Sequence, residues 1–115
     1  MYAVVIMSTY PDKRSLLTIV NVVMEKQLAA CVNFTKIQSI YTWHGKIANT
    51  KEFLAFFKTT NKVKNSLKKE IKKLHPYEVP EIAEIKISSI NKPYLDWLLG
   101  STRNKSQKRY HSTKR

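Results

Sequence analysis

Residues 2–9 form an apolar run rich in β-branched side chains, the pattern of a buried strand. Thr9-Tyr10-Pro11-Asp12 then supplies turn and N-cap chemistry, so a helix is expected to begin beside Asp12. Leu16, Leu17, Ile19, Val20, Val23, Met24 and Leu28 recur at helical spacing, with Lys13, Arg14, Asn21, Glu25 and Lys26 mostly on the other side. This predicts a first helix over residues 13–28. From Cys31 to Trp43 the pattern changes to alternation, on Val32 and Phe34 and then on Ile37, Ser39, Tyr41 and Trp43. Its parity flips between Phe34 and Ile37. One extra residue swaps the faces of a strand, so a bulge or bend is expected near Thr35-Lys36 within one long strand.

Trp43-His44-Gly45-Lys46 reads as a reversal, with Gly45 able to take a positive φ. The return strand ends in Glu52-Phe53-Leu54-Ala55-Phe56-Phe57-Lys58-Thr59, apolar on both faces. A helical layer over one side of a sheet requires only one such face. Cover between identical subunits is the economical solution; an ordinary central strand is the other reading. Asn61 is placed to cap a second helix carrying Val63, Leu67, Ile71 and Leu74 on one stripe and Lys62, Lys64, Lys68, Lys69, Lys72 and Lys73 elsewhere. That helix should stop at His75-Pro76. Ala83, Ile85 and Ile87 alternate with Glu84, Lys86 and Ser88 as a further strand. Pro93 suits the first turn of a short helix with Tyr94, Leu95, Trp97 and Leu98, ended by Gly100. The order β-α-β-β-α-β-α predicts an α+β, ferredoxin-like sandwich with its helices on one face of the sheet and a C-terminal helix.

Length adds that 115 residues with 43% hydrophobic content suit a single domain, assigned here to 1–103. The opening apolar run is too short for a signal segment or a membrane span, so no membrane insertion is expected. The single cysteine, Cys31, excludes an internal disulfide and a paired-cysteine zinc motif, and a reducing, cytoplasmic compartment is expected. The formal charge of +13 raises nucleic acid or another acidic partner. Residues 104–115 carry five basic residues and no acidic one, and lack aliphatic side chains. They are expected to be disordered in isolation, either as a solvated extension or as an arm for an acidic partner. The lysine face of the second helix has no interleaved aromatic residue, which favours plain solvation and leaves a nucleic-acid module as second choice.

Six segments then acquire a joint meaning. They are Thr9-x-Pro11-Asp12, Leu28-Ala29-Ala30-Cys31-Val32-Asn33, Ser39-Ile40-Tyr41-x-Trp43-x-Gly45-Lys46-Ile47, Lys58-Thr59-Thr60, His75-Pro76-Tyr77-Glu78-Val79-Pro80-Glu81-Ile82 and Tyr94-Leu95-x-Trp97-Leu98. In this order and spacing, over about residues 3–103, the chain resembles the divalent-cation tolerance (CutA) family. The resemblance implies a ferredoxin-like protomer in a tight homotrimer, similar to PII-type signalling proteins. It also implies a role in divalent-metal tolerance, copper above all, and brings no enzyme chemistry. The chain departs from the family pattern at Phe34-Thr35-Lys36-Ile37, which lacks the Pro-Gly of many members. His44 and Ala48-Asn49-Thr50-Lys51 stand where acidic residues are common, and Ser8 and Leu74 where some members carry a cysteine and a second histidine.

Residue chemistry makes His75, Glu78 and Glu81 the first metal candidates, since imidazole with carboxylate suits copper or zinc. The structural alternative has His75 capping carbonyls at the end of the second helix. Cys31 is either a soft ligand or reactive thiol, or a small buried hydrophobe between Ala30 and Val32. Lys58, beside Thr59, is placed either to hold an anion near a subunit boundary or to pair with Glu78 or Glu81. Tyr41, Trp43 and Tyr77 are candidates for the same cleft, or for simple packing. No Ser-His-Asp signature or phosphate loop is present, and with two glycines in all the chain is not expected to be an enzyme. No cofactor is required; weak binding of copper or zinc is the expectation. The two functional readings are a trimeric protein that responds to metal or a small ligand, and a trimeric scaffold whose basic surface meets acidic partners.

Overall fold

A computed structural model describes residues 1–102, so the basic segment 104–115 lies outside the described residues. The order is β1 (Ala3–Tyr10), α1 (Lys13–Glu25), β2 (Cys31–Trp43), β3 (Lys46–Thr60), α2 (Lys64–Leu74), β4 (Ala83–Lys86) and α3 (Lys92–Gly100). The strands form one sheet, ordered β2-β3-β1-β4, in which every neighbouring pair is antiparallel. The predicted α+β, ferredoxin-like arrangement is therefore present. No helix among the described residues is long and apolar enough to cross a membrane.

Local chemistry accounts for most boundaries. The Asp12 carboxylate accepts from the Ser15 backbone N–H at 2.8 Å, occupying one of the free donors of the first turn of α1. The helix ends at Glu25, earlier than the apolar stripe suggests. Gln27 adopts φ +56°, and the Leu28 N–H donates back to the Val23 carbonyl at 3.0 Å, which turns the chain without a glycine to announce it. Asn61 also differs from expectation. Val63 takes the N-cap position with no side-chain bond, and the Asn61 amide oxygen instead accepts from the Tyr2 N–H at 2.8 Å, tying the two strand ends together.

The expected bulge is absent, since β2 pairs with β3 without interruption from Cys31↔Lys58 to Trp43↔Lys46. The parity flip has another cause. Val32 packs with the core under α1 and α2, whereas Ile37, Tyr41 and Trp43 line a cleft on the opposite face. A regular strand thus buries one face near its start and offers the other face further along.

Two layers of apolar contact cover the sheet unequally. Val4, Ile6 and Tyr10 of β1 and Ala55 and Phe57 of β3 pack against Leu16, Ile19 and Val23 of α1 and Leu67 and Ile71 of α2. The other face does not match the prediction that all helices lie on one side. Leu98 of α3 packs with Ala3 and Ala30, partly covered by Ile87 and Trp97, so α3 sits on the opposite face. It covers only one end. Leu54, Phe56, Met7 and Ile85 share that face by strand alternation and remain partly or well exposed.

The hairpin outreaches the rest of the sheet. β1 pairs with β3 only from Phe53 to Thr60, so beyond Glu52 the two long strands have only each other. Their turn places His44 at φ +52° and Gly45 at φ +74°, two consecutive positive φ values that suit the right-handed twist of a two-residue reversal. Ile40 and Ile47, 69% and 80% exposed, leave this ribbon apolar at its tip.

Candidate functional site

The cleft lies where the ribbon leaves the sheet, and it has a volume of about 730 Å³. Its floor includes Met7, Ile37 and Leu54, and its sides carry Tyr41, Trp43 and Tyr77 together with Glu52, Glu78 and Glu81. Among the described residues, no lysine, arginine or histidine lines it. Tyr41 and Trp43 face the cleft because they sit two residues apart on β2. The 75–81 loop supplies the remaining aromatic ring and two of the carboxylates, and the Ser8 hydroxyl fastens that loop to β1 by donating to the Glu81 carbonyl at 2.6 Å.

Glu52 is the least expected member. It is the last residue of β3 before the strand gains β1 as a neighbour, and only 7% of its surface is exposed. The Tyr77 hydroxyl donates to its carboxylate at 2.5 Å. That partner is neutral. The ion pairs among the described residues engage Glu70, Glu84 and Asp96, and none engages Glu52, Glu78 or Glu81. Burial raises the Tyr77 phenol above its ordinary range, and the bond to Glu52 adds to the rise. Sequence reading missed Glu52, although a carboxylate heading the run Phe53-Leu54-Ala55-Phe56-Phe57 was a visible signal.

His75 serves the scaffold. Its Nε2 lies 2.8 Å from the Thr9 carbonyl of β1 and must carry the proton there, while Nδ1 accepts from the Tyr77 N–H at 3.1 Å. Tyr10, whose phenol burial pushes up to about 12, stacks on the ring with centroids 4.5 Å apart. Burial depresses the imidazole pKa, outweighing the Thr9 carbonyl and the Glu52 charge, and so favours the neutral tautomer that both bonds require. His75 therefore bonds to β1 rather than capping the carbonyls of α2. Its ring can take a metal only by releasing one of these bonds.

The remaining candidates do not gather at the cleft. Lys58 places its ammonium 5.9 Å above the Tyr94 ring of α3, and the ion pairs among the described residues do not join it to Glu78 or Glu81 within one chain. The Thr59 hydroxyl is buried and donates to the Leu28 carbonyl at 2.8 Å. Cys31 is half-buried beside Asn33, 3.7 Å from its amide oxygen, and is less enclosed than a core residue. His44 meets Trp43 edge to face at the turn, with ring centroids 4.8 Å apart. Among the described residues, no three side chains of the His, Cys, Asp and Glu types converge to hold a metal ion. The described residues of one chain thus do not by themselves make a site for a tightly held divalent ion.

The model of the CutA1 divalent ion tolerance protein family matches residues 4–101. The divalent-cation tolerance protein CutA of Thermotoga maritima is 40% identical over 95 residues, covering 83% of this chain and 94% of that protein. Its Pyrococcus horikoshii counterpart is 37% identical, over 87% of this chain and 98% of that protein. Among solved structures, CutA1 from Oryza sativa superposes with a TM-score of 0.85 at 34% identity, covering 90% of this chain and 96% of that one. The Thermus thermophilus protein gives 0.82 at 40% identity, covering 87% and 98%. With the strand order, the two-residue hairpin and the His75–Glu81 loop in place, the chain belongs to the CutA1 divalent ion tolerance protein family.

Proposed function

We propose that this protein is a non-enzymatic, cytoplasmic homotrimer that binds a small ligand or metal ion at the cleft beneath its hairpin. The observation that carries this reading is the ribbon itself. A two-stranded hairpin is marginal in water without further cover, yet this one is regular to its tip and continuous with an apolar sheet face that α3 leaves partly open. A second and third copy of the chain supply that cover, as in PII-type assemblies, and they bring neighbouring surfaces to the edge of the cleft. The cytoplasmic placement rests on the single cysteine.

The tolerance named for the relatives enters here as weak divalent-ion binding. Glu78 and Glu81 are exposed, unpaired carboxylates at the cleft, and they offer hard oxygen donors to copper or zinc without the soft or imidazole ligands that tight copper binding uses. His75 adds a third donor only by giving up its bond from the Tyr77 N–H. Calorimetric titration with copper(II), on protein without an affinity tag, should show weak binding that Glu78→Gln diminishes. Nanomolar, stoichiometric binding abolished by His75→Ala would contradict this assignment.

A further inference from the structure

The outer side of α2 carries charge of one sign. Five of its eleven residues are lysines, set against one carboxylate, Glu70, and its first turn has no acidic residue. Lys64 and Lys68, Lys68 and Lys72, and Lys69 and Lys73 each stand four positions apart, the spacing at which like charges weaken a helix. Alternating signs would keep a helix equally wet without that cost, so plain solvation, the first reading of the sequence, leaves the pattern without a cause. The carboxylates beside this face are already taken. Glu70 pairs with Lys26 at 3.1 Å, and Glu84 of β4 is shared by Lys64, at 2.6 Å, and by Lys68. None of the ion pairs among the described residues engages Lys62, Lys69, Lys72 or Lys73, and all four are exposed. Lys69, Lys72 and Lys73 project from the side of α2 opposite to Leu67 and Ile71, which are buried in the core. That side is remote from the open sheet face, because α1 and α2 close the other one. Self-association through the open face leaves it in solvent.

We propose that the lysine stripe of α2 is a docking surface for the phosphate backbone of a duplex nucleic acid. From Lys62 to Lys73 it runs about 16 Å at roughly 1.5 Å per residue, the length of about five phosphates of one strand along a duplex. Lysine meets phosphate oxygens as a point charge and carries no code for base edges, so the contact is independent of sequence. Other polyanions fit less well. A single strand is held by aromatic rings set among the lysines, and the ring beside this stripe, Tyr2, is already faced by the ammonium groups of Lys64 and Lys86, 5.6 and 4.4 Å from its centroid. A membrane surface takes up apolar side chains beside the lysines, and among the described residues none of the exposed large hydrophobics lies on α2.

The test is the fluorescence anisotropy of a labelled DNA duplex titrated with the full-length protein across about 50–200 mM salt. Residues 104–115 hold five basic residues of their own, so two variants of equal charge separate the sources. One carries Lys69→Gln, Lys72→Gln and Lys73→Gln on the helix; the other carries Lys105→Gln, Lys108→Gln and Arg109→Gln in the basic segment. The natural sequence should bind with an affinity that falls steeply with salt. The helix variant should bind at least about tenfold more weakly, with the slope of log K against log salt shallower by about 2–3, and should lose more than the other variant does. Its melting temperature should stay close to that of the natural sequence, which separates lost contacts from lost folding. Lys62→Gln with Lys69→Gln, clear of the last turn of α2, repeats the comparison with two charges should the triple change unfold the chain.

Failure of the natural sequence to bind the duplex overturns the proposal, and so does binding that the helix variant keeps and the variant in 104–115 loses. Tighter binding to a single strand of equal length, to phosphatidylserine vesicles or to polyglutamate overturns the duplex as the partner.

Discussion

At the scale of single residues, the cleft is held together by a short chain of bonds: Thr9 carbonyl to His75, His75 to the Tyr77 N–H, and Tyr77 hydroxyl to Glu52. Tyr77→Phe removes the donor and leaves the buried carboxylate without it. Urea unfolding should show a loss of about 1–3 kcal/mol, while a change near zero would mean that water or another donor replaces the phenol at no cost. His75 gives a pH signature whose sign follows from its depressed pKa. The unfolded chain takes up a proton near the ordinary imidazole pKa of about 6.5, and the folded chain does so only at lower pH. Stability is therefore full above that value, falls as the pH drops through it, and levels off below the folded pKa. His75→Gln should flatten that part of a melting-temperature profile; an unchanged slope would place the sensitivity elsewhere.

The residue scale was also the least legible from the sequence. The motif His75–Glu81 marked the loop correctly, but its spacing did not say that both imidazole nitrogens are engaged, because the Thr9 carbonyl arrives from 66 positions away. Glu52 was hidden for a similar reason. Its burial depends on where β1 ends, which no local pattern around it reveals.

Elements were far easier to read. Periodicity located the four strands and three helices of the described residues, and Asp12 marked the start of α1. The early end of α1 is a local matter of Gln27, but two other errors involve residues whose role is set by a distant segment. Asn61 bonds to Tyr2 instead of capping α2, and Ile37 faces the cleft because the sheet is covered differently along β2. The hairpin turn is the clearest case of local control. Gly45 holds φ +74° with nothing near a hypothetical Cβ, so Gly45→Ala meets backbone strain and no steric clash. Its cost should be about 1 kcal/mol in thermal or denaturant unfolding. A much larger loss would show that the tip is packed against another subunit.

At the scale of the whole molecule, the two sheet faces tell different stories. One closes on α1 and α2 in a core that needs nothing further, and substitution there, such as Leu67→Ala, should cost about 2–5 kcal/mol wherever the protein is studied. The other face is finished by α3 at one end only, and the ribbon runs out beyond it with Ile40 and Ile47 exposed. The apolar run Phe53–Phe57 announced this surplus in the sequence, since both of its faces were hydrophobic. Self-association is the economical use of such a surface, because a chain always has copies of itself as partners. Leu54, half-buried on the open face, is a position from which to test it without touching the core beneath the helices.

The most direct measurement is the solution mass by light scattering, at micromolar concentration, for the natural sequence and for Leu54→Lys. The account predicts a single species at three times the 13.4 kDa of one chain, and its dissociation when a lysine is placed on the open face. A monodisperse monomer of the natural sequence would contradict it, and so would a trimer that Leu54→Lys leaves intact.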